Sequence, residues 1–474
     1  MKRRRSLCAS LPLAALMLTC SCSKKPTPNV RESGQTRKPI RLVDIANDLT
    51  DRENLDDGEP SIAVNPKNPD EIAVVAFSGA WDNTTMAPIW KSRDGGTSWR
   101  RVPQLPQPKE LDGPGDQAIS YDREGRLVVA ELGLDDNSGG PPRNFIYRQE
   151  RGEDDPLNVG EVFGDDQPQV IVDLHDTTCR NQVYSVWLNT RPSDDSNDAN
   201  DKEVSMDSSS NDRGQTIHNT KVGDNRQFPN RTTRVAVDEY GHAYVLFKTR
   251  EGDVTKDFER AHFRVKRSDD CGKTWAQLVG EEGVSVTGND SVVTFFTDAF
   301  GNPVKGPTAR ARSSDAWITT APGSGDVYVT HVNKDSSGFA QIYVARSSDL
   351  GKTWTTNRAT DGTHNSAYPE IAVTNDGAVG LLYVDYDDSG PRTVFRHRMF
   401  ISLDKGKTWQ GHTIQTLHSS NLQLAPSGFM WGDYEGLVAN GNAFFGVFTG
   451  ESINRAVRQL DPIFFKVDSH DLCH

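Results

Sequence analysis

Short apolar runs broken by polar turns recur along the whole chain, each only as long as a β-strand. Ser61-Ile62-Ala63-Val64-Asn65 is followed, across a polar turn, by Glu71-Ile72-Ala73-Val74-Val75-Ala76-Phe77. The same pair, a small apolar strand and then a more hydrophobic one, returns as Ala118–Asp122 with Arg126–Ala130 and as Gln169–Asp173 with Gln182–Trp187. It returns again as Arg234–Asp238 with His242–Phe247, Ala316–Thr319 with Asp326–Thr330, Glu370–Thr374 with Ala378–Tyr383, and Gly436–Asn440 with Ala443–Phe448. A variable polar loop and a third strand follow each pair, as at Gln341–Arg346. A unit of this kind cannot bury both of its faces alone, so successive units must stack, and a spacing of about 50–80 residues suits four-stranded blades with variable loops. The expected fold is all-β: a single β-propeller of seven four-stranded blades, six being the alternative count. The last unit stops after its third strand, Pro462–Val467, and Ile40-Arg41-Leu42-Val43-Asp44 from the other end of the chain is suited to fill the missing edge.

Composition agrees with many short strands joined by tight turns. The 474 residues include 40 Gly, 25 Pro and 9 Trp, with 35% hydrophobic residues. A net charge of −13 repels phosphate backbones and argues against nucleic acid as a partner. At the N-terminus, Lys2-Arg3-Arg4-Arg5 precedes a short apolar stretch from Leu7 to Leu18 and then Thr19-Cys20-Ser21-Cys22-Ser23, the arrangement of an export signal. The stretch is too short to span a bilayer. A cysteine directly after it resembles a bacterial lipoprotein signal, with Cys20 or Cys22 as the lipidated residue; plain secretion is the alternative. Residues 1–22 are therefore read as the signal, 23–38 as a flexible tether and 39–474 as the propeller. The expected location is the cell envelope, in the periplasm or on the outer surface, with the membrane reached only through a lipid anchor. Cys179, Cys271 and Cys473 remain, none at metal-binding spacing. Cys179 falls in a first-to-second-strand turn of the third unit and Cys271 in a hairpin of the fourth, on the same face, so the two are candidates for a disulfide.

A second motif lies between third and fourth strands. Ser92-Arg93-Asp94-Gly95-Gly96-Thr97-Ser98-Trp99 is the first copy, and 268–275, 347–354 and 402–409 repeat it as Ser-x-Asp-x-Gly-x-Thr-Trp, with Thr in the place of Ser98, around Asp270, Asp349 and Asp404. A fifth copy, around Asp212, lacks the Trp. Asp accepts backbone N–H groups of its own turn, Gly permits positive φ, and Trp buries its ring between sheets. This pattern resembles the Asp box, or BNR repeat, of the sialidase superfamily. The resemblance implies that these aspartates are structural, facing away from any active site, and that the ligand is a glycan or glycoconjugate. It also implies three arginines gripping a carboxylate, a Tyr–Glu nucleophile pair and an Asp acid/base. The family's Arg-Ile-Pro opening is replaced here by Asp57-Gly58-Glu59-Pro60-Ser61, which puts a carboxylate in the place of the first arginine. Sialidases are, moreover, six-bladed.

In a propeller the residues leading into each innermost strand surround one mouth of the central channel. Here they are Asp57 and Glu59; Asp116 and Gln117; Asp165, Asp166 and Gln167; Asn230 and Arg231; Arg310, Arg312 and Asp315; Tyr368 and Glu370; Asp433, Tyr434 and Glu435. Glu59, Asp116, Asp166, Glu370, Asp433, Tyr434 and Glu435 are the catalytic candidates, since crowded carboxylates acquire raised pKa values and can serve as acid and base. The same crowding suits Ca²⁺, although no cofactor is required and no His or Cys cluster points to a metal. Arg231, Arg310, Arg312 and Tyr368 are the ligand-binding candidates, because guanidinium groups clamp an acidic sugar bidentately. Tyr434 and Glu435 are neighbours on a strand and point to opposite faces. Three functions follow: glycan recognition without catalysis, sialidase-like hydrolysis, or an envelope scaffold for proteins. If all the mouth residues paired with one another, they would only close the channel.

Overall fold

The computed structural model describes residues 30–32, 39–46, 57–78, 88–102, 112–134, 143–150, 157–163, 166–189, 204–211, 216–222, 233–251, 258–275, 284–286, 292–294, 316–336, 339–387, 389, 394–418, 434–453 and 460–471. The export signal with Cys20 and Cys22, the Asp212 turn, and Arg231, Arg310, Arg312 and Asp433 lie outside the described residues. Every regular element among the described residues is a strand. No helix there is long and apolar enough to cross a membrane.

The chain is all-β, with its strands in a β-propeller arrangement. Among the described residues they form seven sheets, five of four strands and two of five. Each sheet runs outward as an antiparallel meander. In the first, Asp57–Val64 pairs with Ile72–Ser78, which pairs with Ile89–Ser92, which pairs with Arg100–Val102. Leu42–Asp44 is the outermost strand of the last sheet, antiparallel to Leu460–Asp468 with Leu42 opposite Phe465. Val30–Glu32, inside the stretch read from sequence as a tether, instead lies parallel to the outermost strand of the sixth sheet, with Val30 opposite Trp409. Both additions cover strand edges that would otherwise expose unpaired backbone groups.

The core sits between sheets. One cluster joins Ala63, Val75 and Ile89 of the first sheet to Ile119, Val129 and Tyr147 of the second. Another joins Ile62, Val74 and Trp90 of the first to Phe445, Val447 and Phe464 of the last. The innermost strands are small and apolar because both of their faces pack. Gly436, at the head of the last, has no room for a Cβ, which would stand 2.8 Å from Val447 Cγ1 and 3.0 Å from Ile62 Cγ2. Side-chain hydroxyls stitch these strands together where no ladder can form. The Ile119 amide donates to Ser61 Oγ (3.3 Å), the Val172 amide to Ser120 Oγ (3.2 Å), and Thr320 Oγ1 to the Val237 carbonyl (2.7 Å).

The four complete Ser-x-Asp hairpins share one geometry. In each, Asp Oδ1 accepts the backbone N–H four residues on and Oδ2 accepts that residue's hydroxyl: Ser98 for Asp94, Thr274 for Asp270, Thr353 for Asp349 and Thr408 for Asp404. The leading Ser hydroxyl accepts the Gly amide at 2.8–2.9 Å in every copy. Two left-handed residues follow the Asp, with φ of +69 and +88 at Gly95-Gly96, +64 and +82 at Cys271-Gly272, +60 and +86 at Leu350-Gly351, and +63 and +82 at Lys405-Gly406. Such a pair belongs to the primed hairpin turns, whose twist matches that of the strands they join. The Ser98 hydroxyl, with further bonds from the same turn, holds Asp94 down to about 2. Burial raises Asp349, but the Thr353 bonds outweigh it and hold that carboxyl at about 2 as well. These aspartates are saturated acceptors within their own turns, and the turns look outward to neighbouring sheets. Trp99 meets Phe464 of the last sheet edge-on at 5.1 Å, and Arg267 of the fourth sheet donates to the Leu350 carbonyl in the hairpin of the fifth (3.0 Å). Cys179 and Cys271 are joined as a disulfide across 92 residues, tying the first hairpin of the third sheet to the Ser-x-Asp hairpin of the fourth.

Candidate functional site

The innermost strands of all seven sheets line one axial cavity of about 330 Å³. Its wall includes Ser61, Ser120, Gln169, Arg234, Trp317, Ile371 and Gly436, one from each sheet. At the leading end of several of these strands the chain enters through the same irregularity. Glu59, Gln167 and Tyr368 have φ of +52, +45 and +52, each precedes a proline, and each lies in a register shift between the innermost strand and its neighbour. Non-glycine residues at positive φ carry a strain on the order of 1–3 kcal/mol and persist only where the surroundings dictate them. The bulge turns the side chain away from the pleat, so these positions leave the strict in–out alternation.

Five side chains and one backbone carbonyl meet at this end. Tyr434, from the seventh sheet, donates its hydroxyl to the Gln117 carbonyl of the second sheet at 3.4 Å. Arg234, from the fourth sheet, places its guanidinium carbon 5.5 Å from the Tyr434 ring centre and 4.7 Å from that of Trp317 in the fifth. Arg234 Nη1 donates to the Thr233 carbonyl (3.0 Å) and lies 3.5 Å from Gln167 Oε1 of the third sheet. The Gln167 backbone N–H donates to Asp116 Oδ2 (2.9 Å). Contacts that link the second, third, fourth, fifth and seventh sheets in this way can be made only near the axis. Arg234 and Gln117 are each 1% exposed and Tyr434 2%, whereas Trp317 is partly buried.

The Tyr434–Glu435 pair does not form a nucleophile and its base. Tyr434 faces the axis, whereas Glu435 turns into the wall, where its carboxyl accepts the Thr449 amide (2.7 Å) and lies 3.5 Å from His397 Nε2 of the sixth sheet. Burial raises Glu435 well above the usual carboxylate range, the Thr449 bond opposing only part of it, and burial pushes His397 down to about 3. Burial thus disfavours the charged form of both groups at this contact. Glu131, opposite Gln117 in the second sheet, is likewise fully enclosed, and burial raises it to about 8. So raised carboxyls do occur near this end, but desolvation raises them, not crowding.

Tyr368 enters an innermost strand but is not among the residues that line the cavity. It packs with Tyr386, Phe395, Leu417 and Leu460 in a cluster at the boundary of the sixth and seventh sheets. Glu59 and Glu370 are buried at 4% and 1%. Asp166 is placed by its backbone, opposite Leu188. Among the described residues no group of three or more His, Cys, Asp or Glu side chains could hold a metal ion. The residues missed in the sequence are Arg234 and Trp317. The signal was there: Arg234 heads an otherwise apolar innermost strand, in the place where other units carry Ser61, Ala118 or Gly436.

No known protein-family profile matches the chain, and no curated protein matches it significantly. Solved structures do. A polysaccharide lyase, an ulvan lyase, superposes with a TM-score of 0.53 at 12% identity, over 90% of this chain and 96% of that one. The α-L-arabinofuranosidase of Fusarium graminearum gives 0.50 at 9% identity, over 93% and 100%. A Hadza microbial sialidase is more distant, at 0.43 and 14%, over 83% and 76%. At these identities the first two establish a shared propeller architecture.

Proposed function

We propose that this chain is a glycan-binding propeller, that its seven sheets are the blades of one closed ring, and that the ligand sits at the end of the channel where the innermost strands begin. The observation that carries this reading is the axial cluster of Arg234, Trp317, Tyr434, Gln117 and Gln167. Aromatic faces beside planar hydrogen-bonding groups are what a sugar ring needs, one for its C–H face and the other for its hydroxyls. The ulvan lyase and the arabinofuranosidase, which act on glycans on the same architecture, support the ligand class. Recognition is favoured over sialidase-like hydrolysis because Tyr434 and Glu435 serve opposite sides of the wall. Export with lipid attachment at Cys20 or Cys22 remains part of the proposal, and mass spectrometry of the mature N-terminus from a bacterial host tests it.

The function is tested by offering the full chain to a glycan array and to a panel of aryl glycosides. Saturable binding that weakens at least tenfold in Trp317→Ala, with no release of the aryl group, is the expected outcome. Turnover abolished by Glu370→Gln or Asp433→Asn would instead establish a hydrolase. Binding of no glycan on the array would remove the ligand class.

A further inference from the structure

Arg234 carries more than its share in this cluster. The side chain is 1% exposed, its strand lines the axial cavity, and no carboxylate among the described residues pairs with it. A buried cation without a counter-charge is unfavourable, so an anion placed beside it is stabilised. The geometry identifies the missing piece. The Trp317 and Tyr434 rings approach the guanidinium carbon at 4.7 and 5.5 Å, and contacts of this kind stabilise a cation without using its N–H groups. Nη1 is engaged by the Thr233 carbonyl and lies near Gln167 Oε1. Nε and Nη2 are buried and have no hydrogen-bond partner among the described residues. Those two nitrogens form the side-on fork of an arginine, whose parallel N–H bonds match the two oxygens of a carboxylate or sulfate.

We propose that the axial cavity is an oxyanion site, in which the Nε/Nη2 edge of Arg234 receives a carboxylate or sulfate. About 330 Å³ is far more than one water requires and lies at the lower end of the range for small-molecule sites. The oxyanion comes either as a free ion or as the acidic group of a sugar. The second source rests on the glycan reading above; the first does not. In either case the ligand is anionic and bound by a bidentate fork, so lysine cannot replace Arg234 fully.

The test uses the full chain and follows tryptophan fluorescence, because Trp317 reports on the site directly, together with thermal unfolding. Sodium sulfate, sodium acetate and sodium glucuronate are titrated at constant ionic strength against chloride, with glucose as the neutral sugar. We expect a saturable fluorescence change and a rise in Tm with at least one oxyanion and none with glucose. Arg234→Gln should weaken that binding at least tenfold, and Arg234→Lys should weaken it by a smaller factor. Glucuronate binding more tightly than acetate or sulfate assigns the site to an acidic sugar; equal or tighter binding of the simple ions assigns it to a free anion. Should Arg234→Gln fail to fold, Arg234→Lys and the anion-dependent Tm of the unaltered protein still decide the matter. The absence of any saturable response to all three anions, or a wild-type response in both variants, overturns the proposal. An oxyanion response with an empty glycan array would leave this site standing and remove only the glycan reading.

Discussion

Replacing Gly96 by alanine tests how the first and last sheets meet. Gly96 has φ of +88, and a Cβ built on it would lie 2.0 Å from Cε1 of Phe464, in the third strand of the last sheet. Two costs add. The left-handed backbone disfavours an L-residue by roughly 1–2 kcal/mol, and forcing a methyl into a packed ring costs about 1–3 kcal/mol. The sum, about 2–5 kcal/mol, should appear in urea unfolding as a lower midpoint with an unchanged slope. A cycle with Phe464→Leu separates the two. Shortening the ring relieves the clash and leaves the backbone cost, so the double variant should be more stable than additivity predicts by at least ~1 kcal/mol. A Gly96→Ala protein within ~0.5 kcal/mol of the parent, or strict additivity with Phe464→Leu, would refute the contact between the first sheet's hairpin and the last sheet.

Two further outcomes follow from the interior. Burial raises Glu131 to about 8 in the folded chain, against an ordinary value of 4.5, so the folded state holds a proton that the unfolded state releases. Stability should therefore be fullest below pH 4.5 in this respect and fall as pH climbs toward 8, by an amount on the order of 4 kcal/mol; Glu131→Gln should flatten that fall in urea midpoints taken across the range, and an unchanged pH profile would mean that the carboxyl is not enclosed. The Cys179–Cys271 disulfide closes a 92-residue separation, so reduction should cost about 3–5 kcal/mol; the Cys179→Ala/Cys271→Ala chain should show the same loss and ignore reductant.

Much of this fold is legible in one dimension. The runs at Ser61–Asn65 and Glu71–Phe77 became paired strands because small and apolar residues at strand length leave no other way to bury them, and each later copy obeys the same constraint. The Ser-x-Asp hairpins are local chemistry. Asp94 is satisfied by Ser92, Thr97 and Ser98 of its own turn, so nothing distant is needed to read it. The candidate site is the opposite case. Glu435 and Tyr434 stand side by side in sequence, yet one bonds within the wall and the other reaches a strand more than three hundred positions away. Tyr368, selected because it leads into an innermost strand, packs sideways with Tyr386 and Phe395, since the register shift between Ala367 and Glu370 takes it out of the alternation that the sequence suggests.

What the chain determines by itself is what its neighbours in sequence can satisfy: strand length, turn type, and the inward-facing small residues of each repeat. What only the tertiary structure decides is which polar groups from different repeats arrive at the axis. Arg234 in sequence is an ordinary cation before an apolar run; among Gln167, Trp317 and Tyr434 it is a buried fork whose Nε and Nη2 have no hydrogen-bond partner among the described residues. The reason is physical. Hydrogen bonds of a turn close within a few residues, whereas the desolvation that gives Arg234, Glu131 and Glu435 their character is set by sheets that come together only when the repeats stack.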